Sequence, residues 1–264
     1  PSTDYSGLTY THPKDDFDRS KKPVAGQAPL VSVPEFWKAN FKNGMKLIGT
    51  ETKELPLVSF RIRLKGGHIL DAHNPKKAGL ASLTAAMLNE SNQKYTAEQM
   101  SEELLKLGSS ISIFGGASET IVSVQSLKTN VPQTLALLEQ RLLNPKFTAE
   151  DFARVKQQQI EGIKSGEKQP TSIANTVYNR LLYGQNHIMS VPTSGIEETV
   201  SAIELKDIED FYTTYYSPSI AELVVVGDVS EKEVMKNIAF LKAWEKKDVK
   251  MPTLPEIPSV KETK

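Results

Sequence analysis

The chain has 264 residues, with 32 lysines and arginines against 32 aspartates and glutamates, and no cysteine. Zero net charge argues against a broad electrostatic footprint for nucleic acid or an anionic membrane, and the lack of cysteine excludes disulfides, thiolate-held zinc, iron–sulfur clusters and thiol nucleophiles. No apolar run approaches the roughly 20 residues of a membrane-spanning helix.

Residues 1–44 read as an extended linker, because prolines, glycines and charges are mixed there without a sustained period. Its aromatics, Tyr5, Tyr10, Phe17, Phe36 and Trp37, suggest a segment lying against a surface. The chain opens on Pro1 rather than methionine, which suggests an internal piece of something longer whose targeting signal is not in view. Asn43-Gly44 signals a turn into a short strand, MKLIGTE. In PLVSFRIRLKGG, Val58, Phe60, Ile62 and Leu64 alternate with Ser59, Arg61, Arg63 and Lys65, the pattern of a half-buried strand.

A helix is expected over about Lys77–Glu90, and a second in TAEQMSEELLKLG, where Thr96 is the expected N-cap, Gln99 stands three residues on and Gly108 stops the helix. Two strands follow as a hairpin around Gly115-Gly116, and then helices over Val131–Leu143, Thr148–Ser165, Thr171–Tyr183 and Lys206–Tyr215. AELVVVGDV is a buried strand and EKEVMKNIAFL a closing helix. Paired strands and clustered helices define an α+β fold, with a mostly antiparallel sheet packed against helices over residues 45–249. Residues 250–264, again rich in proline and charge, read as the start of a further linker.

Within the first helix, Leu80, Leu83 and Met87 form one stripe, while Ser82, Ala85, Ala86 and Asn89 form a plain opposite face. On pattern alone, small residues there mean a close-packed neighbour or a surface of good helix formers. The flanking residues add something. A strand ending in GG, then G-L-A-x-L-x-x-x-M-L, resembles the inverted zincins, the family of pitrilysin, insulysin and mitochondrial processing peptidase, in which this segment carries H-x-x-E-H. The NGMKL start and the ending YYSPSIAELVVVGDVSEKEV extend the resemblance from about Asn43 to Trp244.

The resemblance implies that Ser82 and Ala86 stand in place of the two zinc-binding histidines and Ala85 in place of the general-base glutamate. Gly162, in TAEDFARVKQQQIEGIKSGE, falls at the glutamate ligand, with Glu161 one residue away. A catalytic zinc needs three protein ligands, so no metal and no cofactor are expected in this chain. The resemblance also implies the zinc-less half of a bacterial-type protein, periplasmic or secreted, whose partner is a zinc-bearing half in the same or a separate chain.

In that family the strand corresponding to Ser109–Ala117 lies at a sheet edge and in the catalytic half pairs with extended peptides. Ile111, Ser112, Ile113, Phe114 and Gly115 could offer such a ladder here, or could be covered by a partner domain. His68, Asp71 and His73 are close enough in sequence to form a loop metal site, but the chain turns there after a GG strand end and their spacing matches no helical ligand pair, so a structural role is expected. Neither a G-x-S-x-G elbow nor a G-x-G-x-x-G fingerprint occurs. Two functions are therefore carried forward. One is a non-catalytic half that helps close a chamber and bind extended peptides. The other is a stand-alone assembly or protein-binding module.

Overall fold

The computed structural model describes residues 7, 9, 11, 16–24, 26 and 34–257, so Tyr5, Tyr10 and His12 lie outside the described residues. Contacts divide the chain into two units, Pro1–Pro34 and Glu35–Lys264. In the first, the Asp18 carboxylate accepts hydrogen bonds from the Ser20 amide and hydroxyl.

Among the described residues the second unit holds six strands, β1 (Trp37–Asn40), β2 (Lys46–Glu51), β3 (Leu57–Lys65), β4 (Ser110–Gly115), β5 (Glu119–Leu127) and β6 (Ala221–Gly227). They form one sheet in the order β1-β2-β6-β3-β5-β4. The β2–β6 pair is parallel and the others are antiparallel. The period-two pattern of β3 is realised in full, with Val58, Phe60, Ile62 and Leu64 buried and Ser59, Arg61, Arg63 and Lys65 exposed. β1 falls inside the stretch through residue 44 that sequence pattern assigned to a connector. Its Trp37, Lys38, Ala39 and Asn40 do alternate half-buried and exposed, so the strand signal is present but short, and it is obscured by the prolines and charges that precede it.

The helices are α1 (Leu80–Met87), α2 (Ala97–Lys106), α3 (Val131–Leu143), α4 (Ala149–Gly166), α5 (Pro170–Tyr183), α6 (Glu197–Ser201), α7 (Leu205–Tyr215), α8 (Glu231–Asn237) and α9 (Ala239–Ala243). The expected N-cap of α2 is present. Thr96 Oγ1 accepts from the Gln99 amide at 3.2 Å, and Gln99 Oε1 accepts from the Thr96 amide at 3.0 Å. The single closing helix expected from EKEVMKNIAFL is instead two, broken at the buried Ile238, where ψ is 22°.

Two apolar clusters organise the interior, and α1 lies between them. Ala81, Ala85 and Leu88 join Phe60, Ile62, Val122 and their neighbours in the cluster beneath the sheet. Leu83 and Met87 join Val155 and Ile160 of α4 with Val200, Ile203 and Ile208 in the second. The sequence suggested one apolar face on α1, whereas the helix has two. Alanine on the sheet side is what allows the helix to lie close to the strands.

Tyr212 and Tyr216 tie α7 into the core. The Tyr212 hydroxyl donates to the Leu142 carbonyl at 2.9 Å. Burial pushes its phenol up to about 12, and burial raises that of Tyr216 as well. An unfolded chain ionises tyrosine near 10, so the native state keeps its phenolic protons longer than the unfolded state. The associated stability is complete below about pH 10 and is lost as pH rises through about 12. Unfolding free energy is expected to fall by about 1.4 kcal/mol per pH unit for each such tyrosine in that window. Urea midpoints measured on either side of pH 10 check this, and Tyr212→Phe should flatten the slope.

Candidate functional site

α1 begins at a buried polar knot. Residues 67–73 form a short 3-10 helix that places His68 and Asp71 together, at 1% and 3% exposure. Asp71 Oδ2 accepts from the Gly79 amide at 2.8 Å and Oδ1 from the Ala81 amide at 3.0 Å, satisfying donors that a helix start leaves unpaired. His68 Nδ1 faces Asp71 Oδ2 at 2.8 Å, and Nε2 donates to the carbonyls of Ile188 and Val191, each at 3.1 Å. Gly79 has φ +98°, and a Cβ there would lie 2.5 Å from the Ser194 carbonyl oxygen, so only glycine fits. His73 does not converge on this pair. It is exposed, stacks on Tyr215 and meets the Lys250 carbonyl with Nε2. Among the described residues no group of three or more His, Cys, Asp or Glu is placed to hold a metal.

Of the four positions matched to zinc ligands and base, Ala85 is fully buried in the cluster beneath the sheet. Ser82 and Ala86 are half-buried. Ser82 lies beside the β4 strand, since a Cβ on Gly115 would come within 3.0 Å of the Ser82 Cα. Ala86 packs against the second cluster, as does Ile163 of α4. On α4, Gln159 Nε2 donates to the carbonyls of Gly79 and Ser194, which turns its face toward the start of α1. Gly162 is three residues further on and shares that face. A Cβ on Gly162 would meet nothing within 4 Å. Glu161 is turned away, exposed and hydrogen-bonded to Gln157 at 3.0 Å.

Gly162 opens onto a cleft of about 610 Å³, shared with His68, Ala117, Gly166, Val177 and Arg180, but Ser82, Ala85 and Ala86 do not line it. The structure packs α1 against α4. It presents no imidazole or carboxylate at any of the four positions, so the residues present do not fit a zinc ion.

Among the described residues β4 is an edge strand, paired only with β5. Its Ser110, Ser112 and Phe114 are exposed, and its Ile111 and Ile113 are buried. Two residues to which sequence reasoning gave no role act on this edge. Asn89, just past α1, accepts from the Ile113 amide with Oδ1 at 3.0 Å and donates from Nδ2 to the Ile113 carbonyl at 2.7 Å. Arg141 of α3 donates from Nη1 to the Ile111 carbonyl at 2.6 Å and from Nη2 to the Asn89 carbonyl at 3.3 Å. Burial lowers the pKa of this guanidinium, and the charge of Glu90 opposes that shift. The sequence carried a signal for Arg141, which falls on the buried stripe of Thr134, Leu135, Leu138 and Leu142.

The mixed sheet, with α1 under its edge and α4 against α1, is the fold of a peptidase-like domain. The description "Insulinase (Peptidase family M16)" matches residues 49–189, and "Peptidase M16 inactive domain" matches residues 202–264. The chain belongs to peptidase family M16, and its C-terminal part matches that family's inactive domain.

The chain is 21% identical over 192 residues to a Helicobacter pylori protein named "Non-peptidase homolog YmxG", covering 73% of this chain and 44% of that one. A crystal structure of the peptidase M16 inactive domain from Pseudomonas fluorescens superposes with a TM-score of 0.78 at 22% identity, over 85% of this chain and 54% of that one. The first half of the periplasmic protease PqqL from Escherichia coli gives 0.74 at 15% identity, over 85% of this chain and 50% of that one. At such identities these two structures establish the fold alone. The chain spans less than half the length of the curated relatives it matches. Among the described residues no helix is long and apolar enough to cross a membrane.

Proposed function

We propose that this chain is the non-catalytic half of a metallopeptidase-like assembly. It closes a chamber beside a zinc-bearing half, in the same or a separate chain, and holds an extended peptide along Ile111–Gly115 of β4. The observation that carries the reading is the α1–α4 pair, which keeps a two-helix arrangement while Ser82, Ala85, Ala86 and Gly162 offer no ligand and no base. Zinc belongs to the partner half. The resemblance to a periplasmic protease supports a periplasmic or secreted location.

One observation favours the assembly-module reading instead. The β4 edge is partly closed by Asn89 and Arg141, as native edges commonly are.

Hydrolysis of an unstructured fluorogenic peptide tests the two. The chain alone is expected to be silent, and cleavage should rise when it is mixed with the zinc-bearing M16 protein of the same source and vanish with a chelator. Chelator-sensitive cleavage by the chain alone overturns the non-catalytic assignment. A mixture that forms a stable complex without gaining activity favours the assembly module.

A further inference from the structure

Strand addition uses the backbone groups that point away from the sheet, which on an antiparallel edge belong to alternate residues. The Ile113 amide and carbonyl both meet Asn89 and not β5, so the outward set on β4 is Ile111, Ile113 and Gly115. An added strand would place one donor and one acceptor opposite Ile113. The Asn89 carboxamide already does so, with Oδ1 on the amide and Nδ2 on the carbonyl, and it therefore supplies the acceptor and donor that one residue of an incoming strand would offer.

Its orientation is fixed by the partners. Nδ2 faces two carbonyls, those of Ile113 at 2.7 Å and Ala85 at 3.0 Å, while Oδ1 faces an N–H, so a flipped amide would oppose like against like. Arg141 takes the next outward carbonyl, that of Ile111, and its second arm holds the Asn89 backbone.

We propose that Asn89, braced by Arg141, is a built-in plug that closes the β4 edge to strand addition, so that a peptide gains the Ile113 positions only when the Asn89 side chain leaves them. A peptide must replace hydrogen bonds that the protein already makes, which lowers its net gain to the difference between two similar sets. The plug also shields the edge from pairing with a second copy of the chain. The peptide-competing part rests on the strand-addition reading above. The plug itself does not.

Amide hydrogen exchange by NMR on the intact chain separates the two. In the native protein the Ile113 amide is expected to exchange as slowly as the Ser112 and Phe114 amides. In Asn89→Ala it should speed up by about tenfold or more while those two stay unchanged. An unprotected Ile113 amide in the native chain overturns the plug and leaves the strand-addition reading standing.

Fluorescence anisotropy with a fluorescein-labelled unstructured polypeptide completes the test. Asn89→Ala should bind it about tenfold more tightly than the native chain. Equal, measurable binding by both proteins overturns the plug as a barrier. Protection at Ile113 with no binding by either protein supports the plug as edge protection and removes the peptide from the proposed function.

Discussion

Asp71→Ala is expected to lower the unfolding free energy by about 3–5 kcal/mol, the cost of breaking a buried pair from one side. The substitution strands His68, which is 1% exposed and loses the charged acceptor beside its Nδ1. It also strips the Gly79 and Ala81 amides of their acceptor, and a lost cap alone costs about 1 kcal/mol. Because His68 also holds the Ile188 and Val191 carbonyls, the damage reaches the loop after α5. Urea unfolding should show a lower midpoint at unchanged slope. His68→Ala should be destabilising too, and the double variant should cost clearly less than the two single changes together, because each single change includes the penalty of orphaning the other group. Additive costs would mean that the two groups act independently and that the knot is not one unit.

That knot shows where sequence reading stopped. His68, Asp71 and His73 are close in sequence, and their chemistry suggested a loop metal site to be weighed and set aside. Their actual use depends on a short 3-10 helix that turns two of them inward and one outward, and side-chain spacing cannot show that in advance. The strands were legible because burial on one face writes itself into alternation, as in β3, where nine residues repeat the pattern. β1 also alternates, Trp37 and Ala39 half-buried against Lys38 and Asn40 exposed, but four residues beside a proline- and charge-rich stretch were absorbed into the connector.

α1 was legible as a helix, but what its plain face meets was not. Alanine carries no sign of whether it faces water or a sheet, so the pattern left a close-packed neighbour and a surface of helix formers both open, and the full burial of Ala85 decides for the neighbour. Asn89 was visible for the same reason that it was ambiguous. An asparagine near a helix end is commonplace, and only the approach of β4 turns its amide into a strand mimic.

Restoring ligands is the most direct test of the site itself. A Ser82→His/Ala86→His/Gly162→Glu variant is expected to bind one zinc ion at micromolar affinity or tighter, about 8 kcal/mol or more, where the parent binds none. The two histidines would share one face of α1 at i and i+4. Gly162 has open space for a side chain, on the face of α4 that Gln159 aims at the start of α1. Ala85 is left alone, because a glutamate there would place a carboxylate in the cluster beneath the sheet at a cost of several kcal/mol. Calorimetric titration with zinc reads the result without any need for activity.

Ser82→His/Ala86→His with the native Glu161 is the register control. Glu161 points away and pairs with Gln157, so this variant offers two ligands and should bind at least about a hundredfold more weakly. Equal binding by the two variants would move the ligand position to Glu161. No binding by either would return Ser82, Ala85 and Ala86 to the simpler account, in which small residues are there because α1 must pass within van der Waals contact of Gly115 on β4.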